Sequence, residues 1–228
     1  MISRSEVQIP IGINHLQGLL AIPTEARGMV IFAHGSGSSR FSARNQEVAR
    51  ALNDFGIATL LFDLLTGDEE AVDRRDGRFR FNIALLAHRL MVATRWVKKN
   101  PSCGNLKLAY FGASTGAAAA IIAAAEMPDS ITSVVTRGGR VDLAGNSSLH
   151  ELAAPILMIV GELDEEVIRL NRIASHEFHV PFEIEIIQGA SHLFEEGETL
   201  REVANHSAAW ILKNFLQSER IGIGATNN

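Results

Sequence analysis

Tyr110-Phe111-Gly112-Ala113-Ser114-Thr115-Gly116 lies between an apolar run that begins at Leu106 and an alanine-isoleucine run over residues 117–125. Residues 106–111 read as a buried strand and 117–125 as a helix. The chain must therefore reverse within about three residues. A turn that tight forces its central residue into a strained backbone conformation and leaves no room for side chains on either flank. Gly112 and Gly116 meet that demand. The strain lifts the Ser114 hydroxyl clear of the sheet, at the positive end of the following helix. A plain Gly-Ser turn ahead of a helix would carry the same letters, so the surrounding chain decides.

Upstream, residues 7–10 and 15–23 read as two strands joined by Ile11-Gly12-Ile13-Asn14, an antiparallel hairpin. Residues 29–33 and 57–62 are continuous apolar runs, the pattern of central strands covered on both faces. A helix starting at Arg44, with Val48, Leu52 and Phe55 on one face and Gly56 as its stop, separates them. Residues 66–80 are heavily charged and read as a rim loop. Asn82 is placed to cap a helix carrying Ile83, Leu86, Leu90 and Val97.

Downstream, strands are expected at 131–136 and 157–160, a helix over 165–178, and an edge strand at 182–187, where apolar and acidic residues alternate. The last helix places Leu200, Ala204, Ile211 and Phe215 on one face, and residues 218–228 read as a flexible tail. Strands alternating with helices predict an α/β fold: a mostly parallel central sheet with helices on both faces, an antiparallel N-terminal hairpin and no large cap domain. Residues 1–217 then form one domain.

Composition sets the outer bounds. A 228-residue chain is long enough for one large α/β domain and short for two. With 46% hydrophobic and 21% charged residues it is globular in type. A net charge of −5 argues against nucleic acid as a partner. The single cysteine, Cys103, excludes an intrachain disulfide and a cysteine metal cluster. No signal-peptide or membrane-length apolar segment is evident, so no membrane association and a cytoplasmic location are expected. Neither cofactor nor metal is called for, and the oligomeric state is not written in the sequence.

Ligands of such sheets sit beyond the carboxyl ends of the strands. His34, Ser114, Arg137, Asp164 and His192 all follow predicted strands, which puts them on one rim. A serine hydroxyl needs a base to take its proton, and the base needs an acid to fix its tautomer. Ser114, Asp164 and His192 supply nucleophile, acid and base in chain order. Each has a plainer role available: Asp164 as the cap of the next helix, with Glu162 and Glu165 as rival acids, and His192 as a loop residue, with His34 as rival base. His34-Gly35-Ser36-Gly37 follows a buried strand where backbone amides can stabilise an oxyanion. By position the two donors are Ser36 and Thr115. No G-x-x-x-x-G-K-[ST] phosphate loop is present.

These features together resemble the α/β-hydrolase superfamily, whose nucleophile elbow, chain order and oxyanion loop match Gly112–Gly116, the order Ser114, Asp164, His192, and His34–Gly37. The short chain and the Gly189-Ala190-Ser191-His192 ending are similar to the dienelactone hydrolase family. Members acting on dienelactone use cysteine at the elbow; Ser114 here points to a serine esterase. The resemblance implies hydrolysis of a small carboxylic ester, thioester or lactone through an acyl-enzyme. The same machinery also serves acyl transfer and perhydrolysis, and the fold can persist as a non-catalytic binding protein. Arg78, Arg80, Arg137 and Arg140 are candidate partners for a substrate carboxylate, with Arg137 the best placed and His34 beside it as a tentative substrate contact. Acidic neighbours are available to pair with Arg78 and Arg80. Loops 64–80 and 137–150 are expected to wall the pocket.

Overall fold

A computed structural model describes residues 1–224, with side chains to residue 218. Among the described residues eight strands join one sheet in the order β1-β2-β4-β3-β5-β6-β7-β8. The hairpin strands are β1 (Ile2–Ile11) and β2 (Asn14–Pro23), joined by Gly12 and the exposed Ile13. Strand β2 runs antiparallel to β4 (Ala58–Phe62). From there β3 (Met29–Ala33), β5 (Leu108–Ala113), β6 (Ile131–Arg137), β7 (Ile156–Gly161) and β8 (Phe182–Ile187) are parallel. The expected mixed sheet with its antiparallel hairpin is therefore present, and β8 lies at its edge.

Every residue of β3, β4, β5 and β7 is buried, as expected of strands covered on both faces. Helices α1 (Ala43–Asp54) and α7 (Thr199–Gly224) cover one face. Val48, Leu52, Val203, Ile211 and Phe215 pack there on Val30, Phe32 and Phe111. On the other face α3 (Ile83–Lys99) and α4 (Thr115–Ala125) place Leu86, Leu90 and the alanines of α4 against Met29, Ile31 and Tyr110. Burying each large aliphatic side chain contributes about 2 kcal/mol. The alanines let α4 sit close to the sheet centre, which brings its N-terminus to the rim.

Three expectations are corrected. Residues 66–80 are not a loop throughout: α2 (Gly67–Asp76) occupies most of them. It forms without an apolar face because Thr66 and Glu69 close a reciprocal capping box and Gly77, at φ 69°, ends it in the left-handed conformation. Residues 137–150 likewise contain a 3-10 turn, Val141–Ala144, and the helix α5 (Gly145–Glu151). Helix α7 continues to Gly224, so the expected tail is helical in its first part; residues 225–228 lie outside the described residues. Among the described residues no helix is long and apolar enough to cross a membrane.

Candidate active site

The reversal between β5 and α4 places Ser114 at φ 49°, ψ −121°. An L-residue adopts this region only under strain of about 1–3 kcal/mol. The surrounding chain holds it there. The Ser114 amide donates to the Arg137 carbonyl at 3.1 Å, and the Ser114 carbonyl accepts from Arg140 at 3.0 Å. A Cβ on Gly112 would lie 2.6 Å from the Ala117 Cα, and one on Gly116 2.2 Å from the Ala33 oxygen. Both flanks of the elbow thus exclude side chains.

Asp164 occupies the N-cap position of α6 (Glu165–Ser175), yet its side chain makes no capping hydrogen bond. Its carboxylate instead accepts from Nδ1 of His192 at 2.5 Å. Of the rival acids, Glu162 accepts the Gly189 amide at 2.8 Å, and Glu165 lies in the first turn of α6. His192 sits on a loop fixed at several points. The Ser191 amide donates to Glu196 at 3.0 Å, and Phe194 is fully buried at φ 56°. Gly138 keeps the other side of the imidazole clear, since a Cβ there would come within 3.3 Å of the ring. Ser114 and His192 line one cavity of about 220 Å³.

The loop after β3 lies directly against the elbow: a Cβ on Gly35 would meet the Ser114 Cβ at 3.1 Å. The Ser36 amide donates to the Thr115 hydroxyl at 2.9 Å. Thr115 is the first residue of α4, so its own amide lacks an intrahelical acceptor. His34 is a strut of this loop. Its Nε2 accepts from the Leu64 amide at 3.2 Å, which assigns the proton to Nδ1, facing the Gly35 carbonyl at 2.9 Å. Burial pushes its pKa below the usual histidine value, outweighing the Gly35 carbonyl and Asp63. With both nitrogens engaged, His34 has no lone pair free for Ser114. The same loop lines a second cavity, of about 280 Å³, together with His34, Asp63, Glu70, Asp73 and Arg80.

The four arginines separate clearly. Arg78 pairs with Asp76, Arg80 with the buried Asp73 and Arg140 with Asp142. Arg137 is buried, and its Nε and Nη1 have no hydrogen-bond partner. It lines the cavity of Ser114 and His192, as does Arg44. Arg44 is absent from the expected site. Its position at the start of α1, shortly after the loop that follows β3, is the available signal. Among the described residues no group of three or more His, Cys, Asp or Glu side chains is placed to hold a metal ion. Cys103 is buried and free, and burial raises its pKa.

The chain is 47% identical over 210 residues to proteins from two Mycobacterium tuberculosis strains that carry the provisional name phosphoribosyl transferase. That alignment covers 92% of this chain and 46% of theirs, so the chain spans about half the length of these curated relatives. The crystal structure of a dienelactone hydrolase from Anabaena variabilis superposes with a TM-score of 0.91 at 48% identity, covering 93% of this chain and 98% of that one. Est1E from Butyrivibrio proteoclasticus shares the fold at a TM-score of 0.77 and 16% identity, over 92% of this chain and 99% of its own. The dienelactone hydrolase family profile matches residues 16–217, and with nearly the whole folded region inside that match, the chain belongs to the dienelactone hydrolase family.

Proposed function

We propose that the chain is a cofactor-independent serine hydrolase of small carboxylic esters, thioesters or lactones. The observation that carries this reading is the 2.5 Å contact between Asp164 and His192 Nδ1, made by an aspartate at a helix N-cap that leaves the cap unbonded. A carboxylate on Nδ1 keeps the proton there and leaves the Nε2 lone pair free as a base. Ser114 supplies the nucleophile in the same cavity.

The Ser114 Oγ attacks the carbonyl carbon while its proton passes to His192 Nε2, and the carbonyl π electrons move to oxygen. The amides of Thr115 and Ser36 receive that oxyanion. For Ser36 this exchanges the neutral Thr115 hydroxyl for a charged acceptor, and charge-assisted hydrogen bonds are about twice as strong as neutral ones. Each such donor is worth about 10²–10³ in rate. Collapse expels the alkoxide or thiolate, which takes the proton from His192. Water, deprotonated by the same imidazole, then releases the acid and restores Ser114.

A fluorophosphonate probe tests this directly. Labelling at Ser114 that disappears in His192→Ala is expected, together with turnover of short-chain p-nitrophenyl esters. No labelling and no turnover across a panel of esters and lactones would overturn the reading in favour of a binding protein.

A further inference from the structure

The strained backbone of Ser114 is clasped on both sides by one short loop, its amide donating to the Arg137 carbonyl at 3.1 Å and its carbonyl accepting from the Arg140 amide at 3.0 Å. Gly138 and Gly139 lie between those two anchors. Gly138 borders the His192 ring, and its amide donates to the Ile159 carbonyl of β7 at 2.8 Å. Gly139 is buried, and its carbonyl accepts from Nδ2 of Asn171, in α6, at 2.8 Å. Asn171 is itself fully buried. Its Nδ2 also donates to the Val167 carbonyl at 2.8 Å, so both amide hydrogens are used. Two carbonyl oxygens facing that nitrogen fix the orientation of the carboxamide, because the flipped form would set oxygen against oxygen.

The amide is held at a cost. Oδ1 of Asn171 is buried with no hydrogen-bond partner among the described residues. An unsatisfied buried acceptor destabilises the fold, and an apolar side chain of similar shape would be free of it. What the amide provides is a tie between the two halves of the site. Helix α6 begins directly after Asp164, whose carboxylate holds His192, and about two turns further on the same helix holds the loop that clasps Ser114. Hydrogen bonding within the helix keeps the distance between those two points fixed. We propose that Asn171 is a positioning residue for the nucleophile, setting through Gly139 where Ser114 stands relative to the pair of His192 and Asp164. It acts only through the loop and touches no substrate. The proposal rests on the serine hydrolase reading for its consequence in rate, but not for the tie itself, which local hydrogen exchange reads without any substrate.

Asn171→Leu, which roughly keeps the volume and removes both donors, tests it, with Asn171→Ala as the second variant in case leucine does not pack. On p-nitrophenyl acetate kcat is expected to fall by about 10–10²-fold with KM changed by less than about twofold, because small misplacements of reacting groups cost that much in the chemical step. The rate of fluorophosphonate labelling at Ser114 falls in parallel. Rates are taken per folded molecule, with circular dichroism giving the folded fraction. Amide exchange followed by mass spectrometry is expected to rise over residues 110–117 and 137–141 and to stay unchanged in β3 and β4. A variant with wild-type kcat and labelling per folded molecule overturns the proposal. Exchange that is unchanged in the two segments, or that rises evenly along the chain as a merely structural role would have it, overturns it as well. Where wild-type protein neither labels nor turns over ester, the hydrolase reading fails and the exchange pattern alone decides, faster exchange confined to the two segments supporting the tie.

Discussion

The Ser36 backbone amide donates to the Thr115 hydroxyl at 2.9 Å, across 79 positions of sequence, and so pins the loop after β3 to the first residue of α4. Thr115→Val removes the acceptor and leaves that amide unpaired. Because the proposed oxyanion displaces that same hydroxyl, kcat on p-nitrophenyl acetate is expected not to fall in steady-state assays, while urea denaturation shows a loss of about 1 kcal/mol that Thr115→Ser restores.

Asp164 contributes to His192 and not to the cap of α6. Asp164→Asn should therefore lower kcat by about 10³–10⁴ while the thermal melt followed by circular dichroism changes little. Glu162, whose carboxylate holds the Gly189 amide, predicts the reverse pattern. Glu162→Gln costs about 1 kcal/mol in urea denaturation with a far smaller loss of activity.

Strain at the elbow gives a prediction of opposite sign for stability and function. Glycine adopts φ near 49° without the penalty that Ser114 carries. Ser114→Gly is expected to gain about 1 kcal/mol in urea denaturation while losing fluorophosphonate labelling entirely.

His34 makes the fold sensitive to mild acid. The unfolded ring takes up a proton near its ordinary value of 6.5, whereas the folded ring, buried and accepting from Leu64, does so only at lower pH. The unfolded chain therefore binds more protons as pH falls below about 6.5, and stability drops through that window until the folded-state value is passed. A stability profile from pH 8 to 4.5 should show this slope, and His34→Gln should flatten it.

Arg137 predicts a gain on removal. Replacing a buried, unpaired guanidinium with methionine relieves its desolvation, and Arg137→Met is expected to be more stable by about 1–3 kcal/mol in urea denaturation.

Much of this molecule is legible in its sequence, for a physical reason that varies by element. Residues 29–33, 108–113 and 156–161 are strands buried on both faces, so their apolar runs announce them. Asn82 was readable as a cap, and its side chain accepts the Leu85 amide. Helix α2 is not legible from periodicity, because no apolar stripe marks it; Thr66 and Glu69, three residues apart, are the capping signal present in the letters. At the site, chain order places Ser114, Asp164 and His192 on one rim. No pattern of letters states that Glu162 is occupied by Gly189, that both His34 nitrogens are used, or that Nε and Nη1 of Arg137 lack a partner among the described residues. Those facts belong to contacts between segments far apart in the chain.

Gly35, Ser36 and Ser38 line both cavities, the one with Ser114, His192 and Arg137 and the one with Asp63, Glu70 and Arg80. A loop shared in this way carries a change made in one cavity into the other, so substitutions aimed separately at the two are expected not to combine additively. Altering what either cavity admits is accordingly a problem of paired substitutions, with the loop itself as the coupling.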